Sequence, residues 1–161
     1  MSGYSFEYFS PAARNAVTTH ATDHAKRMLH TVNGTDDVLL GLMTPQHADR
    51  GSTSVSRFMT DNFSIQLGDV KKCMQLAGIR GASMKDPEYT PGAIKSFKVA
   101  LFEARRSSRR AEPTVDRMDV LIGLVKVNDV TFRRVLSELA QTHGFKSEDF
   151  MRLAAPRVRS R

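Results

Sequence analysis

Of the residues in this chain, two histidines on neighbouring helical turns have the spacing most like that of metal ligands. His20 and His24 lie four positions apart, which on a helix points both imidazoles to one side, and His30 follows six positions later. No third ligand is fixed beside them, and a His-Glu-x-x-His motif is absent from the sequence. We therefore interpret the two histidines as part of a partly exposed helix face, and we expect neither a metal nor a cofactor.

The single cysteine, Cys73, is the candidate nucleophile. A reactive thiol needs a neighbouring base to form the thiolate, and the sequence places none beside Cys73. We therefore interpret Cys73 as a small, partly buried helix residue and expect the chain not to be an enzyme. One cysteine also excludes an intramolecular disulfide framework and is typical of a reducing compartment.

A cluster of four arginines is the strongest concentration of charge: Arg105, Arg106, Arg109 and Arg110. They lie at the end of a predicted helix, where cations on a solvated face complement the negative end of the helix dipole. Because the formal net charge is +7, the same cluster also suits an acidic protein surface or nucleic acid phosphates. No aromatic residues alternate with the arginines, which disfavours nucleic acid. We keep all four as candidate partner-binding residues.

The elements that position these residues are written twice in the sequence. Asp37–Leu42 returns as Asp119–Leu124, 82 residues later, with an acid, aliphatic residues and a glycine in the same order. Upstream, Ser10-Pro11 and Thr90-Pro91 lie 80 residues apart. A hydroxyl residue followed by proline is typical of a helix start. Two landmarks in one order indicate a duplicated supersecondary unit.

Hydrophobic periodicity predicts four helices in each copy and no strand. The first helices open at the two prolines, and Thr35 and Asp116 are the expected N-caps of the second helices. Gly41 and Gly123 lie inside the second helices at a cost of about 1 kcal/mol each, so we expect another helix to pass close to their backbones. The residues that carry the third and fourth helices are Val55, Phe58, Met59, Leu67, Val70, Met74, Ala77, Phe132, Val135, Leu136, Leu139, Ala140, His143, Phe150 and Leu153.

These elements predict an all-α fold of about eight helices, a pseudo-two-fold duplication of a four-helix repeat. Residues 1–161 are interpreted as one domain, with repeats at 9–78 and 89–153, a linker at 79–88 and a basic tail at 154–161. Asn33-Gly34 and Glu112-Pro113 are expected to end the first helices, and Ser147 to cap the last one. The sequence starts without a signal-peptide pattern and has no apolar run of bilayer-spanning length, so we expect a cytoplasmic protein.

The duplicated boxes resemble those of the N-terminal domain of the Clp/Hsp100 unfoldases, a double-repeat domain of Clp ATPases. The family's box reads Gly-Thr-Glu-His followed by aliphatic residues and Gly-Leu, and here the boxes are Gly34–Leu42 and Asp116–Leu124. The resemblance covers about residues 6 to 153 and implies a Clp N-domain-like fold. It also implies protein partners: degradation substrates, adaptors or other Clp subunits. Because the chain has no Gly-x-x-x-x-Gly-Lys-Ser/Thr phosphate loop, it is either a domain of a longer unfoldase or a stand-alone relative.

The leading residues of the boxes depart from the family's Glu-His pair. Asp36-Asp37 stand in the first box and Met118-Asp119 in the second. In C-type unfoldases of Firmicutes, the glutamate of each box helps to bind phosphoarginine. By resemblance Asp36 can take that role, whereas Met118 cannot accept a guanidinium, so we expect phosphoarginine recognition not to be kept.

The expected function is non-catalytic binding of proteins in the groove between the repeats, near the starts of the two box helices. Asp36, Asp37 and Asp119 are the expected polar anchors. Met84 in the linker and four aromatic residues before the first helix either fold back over the core or form an apolar docking patch. Those four residues are Tyr4, Phe6, Tyr8 and Phe9. The alternative function is that of a basic helical protein associated with nucleic acid.

Overall fold

Helices make up most of the chain. The computed structural model describes residues 4–77, 87–107 and 112–154, and of 75–77 the backbone alone. Eight helices are present in this part of the chain: α1, made of the segments Pro11–Asn15, Ala16–His20 and Ala21–Arg27, then α2 (Thr35–Met43), α3 (Ser54–Phe63), α4 (Leu67–Ala77), α5 (Pro91–Ser107), α6 (Arg117–Val127), α7 (Val130–His143) and α8 (Ser147–Ala154). A 3₁₀ turn, His47–Asp49, precedes α3. The predicted all-α fold with four helices in each copy is confirmed.

Several sequence predictions fall outside the described residues. They concern Arg109, Arg110 and Met84, the linker from 79 to 86, and the tail from 155 to 161. Within the described ranges, no helix is long and apolar enough to cross a bilayer.

The two box glycines bring the second helix of each repeat against the backbone of the first. A Cβ on Gly41 would collide with the carbonyl oxygen of Ala16 and lie 3.0 Å from the amide nitrogen of Ala21. A Cβ on Gly123 would collide with the carbonyl oxygen of Ser96, on the corresponding turn of α5. The predicted close approach is therefore confirmed in both copies, which explains why glycine is placed inside a helix despite its cost.

The first helices differ by a single inserted residue. Ala16–His20 forms a π-helical turn in α1, whereas α5 is a continuous α-helix. The backbone atoms facing the box glycine belong to Ala16 and Ala21 in the first copy, five positions apart, but to Ser96 and Ala100 in the second, four apart. A π turn accommodates such an extra residue inside a helix, so the two copies keep the same packing.

Reciprocal backbone pairing joins the two repeats. Strand β1 (Val32–Asn33), just before α2, pairs in parallel with β2 (Glu88–Tyr89), just before α5. An isolated bridge joins Phe9, before α1, to Val115, before α6. Each pairing thus links the segment before the first helix of one repeat to the segment before the second helix of the other, as expected of a pseudo-two-fold arrangement. The prediction of no strand is wrong, because these two-residue strands are too short for periodicity to detect.

Capping predictions hold at three helix starts and fail at two. The side chains of Ser10 and Thr90 accept hydrogen bonds from the N–H groups of residues 13 and 93 at 3.1 and 3.2 Å, and the Asp116 side chain caps α6. The prediction that Thr35 caps α2 is wrong, because Thr35 is already the first residue of that helix. The prediction that Ser147 caps α8 is wrong for the same reason. Ser147 is the first residue of α8, and the carbonyl of Lys146 accepts a hydrogen bond from the N–H of the fourth residue of this helix.

The expected end of α1 is also wrong. The helix stops at Arg27, before the predicted Asn33-Gly34. Leu29 adopts a left-handed backbone with φ of 59°, and the N–H of His30 turns back to the Ala25 carbonyl at 2.8 Å. The chain closes this helix with a left-handed turn at a residue other than glycine, which a search for glycine does not find.

One core runs through both repeats. The predicted stripes of the first helices and of α3, α4 and α7 supply buried residues of this core. In α8, the predicted Phe150 is buried, but Leu153 is 46% exposed and Ala154 is buried instead. Phe9 is buried, and Tyr4 and Phe6 pack on the same core beside Phe97. The described aromatic residues before α1 therefore fold back over the core.

Candidate functional site

The start of α2 is held by two adjacent carboxylates. Gly34 precedes the helix and has no side chain to accept from the free amides of the first turn. Asp36 Oδ1 accepts from the N–H of Asp37 at 2.8 Å, and Asp37 Oδ2 accepts from the N–H of Gly34 at 3.1 Å. Asp36 thus replaces the missing cap, and Asp37 completes a reciprocal capping arrangement.

The start of α6 is also capped by two carboxylates, but they lie at different positions relative to the helix. Asp116 accepts from the N–H of Asp119 at 2.9 Å, and Asp119 accepts in return from the N–H of Asp116 at 3.0 Å. Because Asp116 has its own carboxylate, the position after Arg117 needs no acid, and Met118 packs against the core there. The asymmetry between Asp36 and Met118 therefore follows from the residue that precedes each helix.

Burial makes the α2 site electrostatically strained. Asp37 is fully buried and Asp36 is 6% exposed. Burial, followed by repulsion from Asp37, raises the pKa of Asp36 to about 6. Burial also raises the pKa of Asp37, while His30, whose Nδ1 lies 3.0 Å from both Asp37 oxygens, acts against this rise. The hydrogen bond to Asp37 raises the pKa of His30 in turn.

These three side chains are the one group of potential metal ligands found in the described residues, with candidate ligand atoms of His30, Asp36 and Asp37 within 4.8 Å of one another. Both carboxylates already accept backbone N–H groups at the start of α2, and His30 is bonded to Asp37. A cation held there would compete with these hydrogen bonds for the carboxylate oxygens. The arrangement is therefore suited to holding the helix start rather than to presenting an anchor to a partner.

The first residue of each box helix reaches across to the other repeat. Thr35 donates its hydroxyl proton to Asp129 Oδ1 at 2.7 Å, just before α7. Arg117, at the corresponding position of α6, forms a two-pronged ion pair with Asp49 at 2.6 and 2.8 Å, and both side chains are mostly buried. The Arg117 guanidinium lowers the pKa of Asp49. The box starts thus fix how the repeats sit against each other.

A groove of about 700 Å³ lies between α1, β2 and the segment before α1. Thr18, Thr19 and Thr22 give its α1 wall a polar surface, extended by Asp23 and Lys26. The opposite side is formed by an aromatic and apolar set: Tyr4, Phe6, Pro87 and Tyr89, together with Glu88. The groove combines apolar rings with hydroxyl and charged groups and is formed by residues of both repeats, a composition typical of a ligand or peptide site.

Comparison with known sequences decides the family. The chain matches no protein-family model. It is 31% identical over 123 residues to the ATP-dependent Clp protease ATP-binding subunit ClpC of Staphylococcus epidermidis. It is 28% identical over 124 residues to ClpC of Staphylococcus saprophyticus, and each match covers 76% of this chain but 14% of the relative.

Solved structures show the same fold over nearly the whole chain. The N-terminal domain of the caseinolytic protease associated chaperone ClpD from Arabidopsis thaliana superposes with a TM-score of 0.68 at 19% identity, covering 93% of this chain and 96% of that domain. The chain belongs to the Clp N-terminal domain family. A chain from a malarial protein secretion system has a similar fold, with a TM-score of 0.61, 16% identity, and coverage of 91% of this chain and 92% of its own.

In this Clp N-terminal domain the structure describes two of the four clustered arginines. Arg105 and Arg106 are exposed at the end of α5. The Arg105 guanidinium lies 5.4 Å from the centre of the Tyr8 ring, and that of Arg106 lies 5.9 Å from the centre of the Phe102 ring. Both arginines therefore lie on aromatic rings. The spacing of Phe102 and Arg106 on one helix could have indicated the second contact, whereas the first depends on the tertiary structure, because Tyr8 lies before α1.

The remaining chemical candidates have structural partners. His24 is buried, with Nε2 2.8 Å from the hydroxyl oxygen of Thr44, and burial lowers its pKa to about 4. Since the Thr44 hydroxyl donates to the Leu40 carbonyl, it accepts from His24, which leaves that imidazole turned inward. Burial, with a contribution from Glu138, raises the pKa of Cys73 to about 11. This thiol therefore stays protonated and is a poor nucleophile at neutral pH.

Proposed function

We propose that this chain is a non-catalytic protein-binding module that docks substrates, adaptors or Clp subunits for an ATP-dependent unfoldase–protease system. Its membership of the Clp N-terminal domain family supports a protein partner. The observation that carries the proposal is the groove between the repeats, because it presents Tyr4, Phe6 and Tyr89 beside hydroxyl and charged groups of α1. Apolar rings contribute buried area to a bound segment, while the polar groups set its orientation.

The groove replaces the box carboxylates as the proposed place of contact. Asp36 and Asp37 were expected to anchor a partner, but their carboxylates are buried and cap α2. Asp119 is half-buried and caps α6. Thr19, Asp23 and Lys26 line the groove instead. We assign them the polar contacts with a bound segment.

Two broader features belong to the same proposal. We propose that the repeats at 9–78 and 89–153 act as one binding unit, because the pairings of Val32–Asn33 with Glu88–Tyr89 and of Phe9 with Val115 tie them together. A cytoplasmic site of action is proposed on the ground of the lone cysteine. Fractionation of cells that express the full-length gene product tests the location.

Filling the groove tests the function. Thr19 is exposed on α1 and lines the groove, so Thr19→Trp places a bulky ring there without disturbing the core. We expect the wild-type chain to bind fluorescently labelled unfolded casein, measured by anisotropy, and Thr19→Trp to weaken this binding by about 10-fold or more.

The matched control is Ser137→Trp, a change of similar size at an exposed position of α7 that does not line the groove. It should leave the affinity within about 2-fold of wild type. Circular dichroism would confirm that both variants fold. Equal loss in the two variants, or no binding of casein by the wild-type chain, would contradict the proposal.

A further inference from the structure

The outward face of α5 carries a continuous basic stripe with one aromatic ring in it. Lys95, Lys98, Phe102, Arg105 and Arg106 are all exposed. At 100° per residue their directions fall within roughly a third of the helix circumference, and at 1.5 Å rise the stripe is about 16 Å long. The opposite face of α5 is buried against the core. We call these five residues the α5 stripe.

The cations of the α5 stripe have no carboxylate partners among the described residues. Lys126, on the neighbouring helix, pairs with Glu103 at 2.7 Å, and Arg117 pairs with Asp49. No described ion pair includes Lys95, Lys98 or either arginine of the stripe. The fold therefore pairs Lys126 and Arg117 with carboxylates, whereas the cations of the stripe have no such partner in the part of the chain that the structure describes.

Phe102 lies between the two pairs of cations and is 57% exposed. It is the single exposed aromatic side chain in the part of the chain that the structure describes. The Arg106 guanidinium lies near its ring, yet more than half of the side chain stays in contact with water. A large ring held among cations is suited to burial by an apolar group of a partner.

The first repeat lacks this combination at the matching positions of α1. The backbone contacts of the two box glycines match Ala16 with Ser96 and Ala21 with Ala100. This places Asn15 where the stripe has Lys95, a threonine of the π turn (Thr18 or Thr19) where it has Lys98, and Asp23 where it has Phe102. Lys26 and Arg27 correspond to the two arginines. Because three of the five matching positions hold an acid and two neutral residues, an exposed ring with cations on both sides is a property of the second repeat and not a requirement of the architecture.

We propose that the α5 stripe binds an acidic segment of a partner protein in which an apolar side chain lies between two groups of carboxylates. The carboxylates pair with Lys95 and Lys98 at one end and with the two arginines at the other, and the apolar group covers Phe102. Charge complementarity selects the partner and apolar contact adds affinity. This inference rests on the proposed protein-binding function and assigns it a second surface, outside the groove.

A protein segment fits this surface better than nucleic acid. Single strands are bound by several aromatic platforms in series, whereas the stripe has one ring. A duplex backbone would meet the cations but leave Phe102 uncovered, since phosphates and sugars offer no apolar group of matching size. An acidic segment with an apolar centre satisfies both the cations and the ring.

The test uses the full chain and a fluorescein-labelled peptide with glutamates at both ends around a leucine–phenylalanine–leucine centre. At physiological ionic strength we expect Phe102→Ala to weaken binding by about 5-fold and Arg106→Glu by about 10-fold or more. A second peptide, with serines in place of the apolar centre, should bind more weakly. Its affinity should be insensitive to Phe102→Ala, because it has no group to cover the ring.

The matched control is Arg27→Glu, the same charge change at the corresponding exposed position of the first repeat. It should change the affinity by less than about 2-fold. Equal effects of Arg27→Glu and Arg106→Glu would mean that net charge alone drives binding and would overturn the proposal. So would an unchanged affinity in Phe102→Ala, or tighter binding of a single-stranded oligonucleotide than of the peptide.

Casein binding separates this inference from the function on which it rests. If Arg106→Glu and Phe102→Ala leave the peptide affinity unchanged while Thr19→Trp still weakens casein binding, the stripe proposal fails and the groove proposal stands. If neither casein nor the peptide binds the wild-type chain, both fail.

Discussion

Replacing Asp36 by asparagine tests the electrostatic account of the α2 start. The Asp36 carboxyl is 6% exposed and has a pKa of about 6 in the folded chain, against an ordinary value of 3.8. Asparagine keeps an oxygen that can accept from the N–H of Asp37, a contact of 2.8 Å, but removes the charge. The substitution should therefore remove the cost of burying a carboxylate while keeping the helix cap.

The direction in which the free energy of unfolding changes with pH follows from the two pKa values of Asp36. Between pH 3.8 and about 6, Asp36 is protonated in the folded chain and ionised in the unfolded chain, so the free energy of unfolding falls as the pH rises through this window. At 1.36 kcal/mol per pH unit, the cost at neutral pH amounts to about 3 kcal/mol at most. We expect Asp36→Asn to match the wild type near pH 4 and to be more stable at pH 7.5 by up to about 3 kcal/mol.

Urea denaturation followed by circular dichroism at several pH values measures this difference. The control is Asp61→Asn, which removes an exposed carboxylate from α3 and should change the free energy of unfolding by less than about 0.5 kcal/mol throughout. If Asp36→Asn were less stable than the wild type at pH 7.5, or if its advantage did not grow with pH, burial would not dominate the titration of Asp36.

The remaining predictions concern packing and the contacts between repeats. In urea denaturation, Gly41→Ala should lower the free energy of unfolding by about 2 kcal/mol or more, because the added methyl group would collide with the Ala16 carbonyl. The control is Gly68→Ala, which should be neutral or slightly stabilising, because the space around Gly68 is open. A double-mutant cycle of Arg117→Met and Asp49→Asn should give a coupling of about 1–3 kcal/mol at pH 7. Since Arg117 lowers the pKa of Asp49, this coupling should fade as the pH drops through that lowered value; a coupling near zero at pH 7 would contradict the role of this pair.

Features that depend on a few neighbouring residues were predictable from the sequence. The caps at Ser10, Thr90 and Asp116 follow from hydrogen bonds within one helical turn, which side-chain type and spacing fix locally. The duplication, and with it the helix count, was visible because the same local signals recur in the same order. The close approach at Gly41 was predictable for a similar reason, since an unfavourable residue repeated in both copies needs a packing explanation.

The candidate site depended on contacts between distant parts of the chain. Asp36 and Asp37 were expected to face a partner, but the absence of a side chain at Gly34 and the position of His30 turn both carboxylates inward. The grouping of Thr19 with Tyr89 in one groove depends on how two repeats pack together.

Sequence alone thus determined the class of fold and the family resemblance, because helix periodicity, caps and repeats are encoded within short stretches. Only the tertiary structure decided which polar residues are buried and paired and which are exposed. Burial and pairing are properties of the assembled surface: Arg117 is an ion-pair partner because Asp49, 68 positions away, is brought to it, whereas Arg106 remains exposed beside Phe102. Two arginines of identical chemistry therefore have different surroundings, because one is paired and mostly buried and the other is exposed.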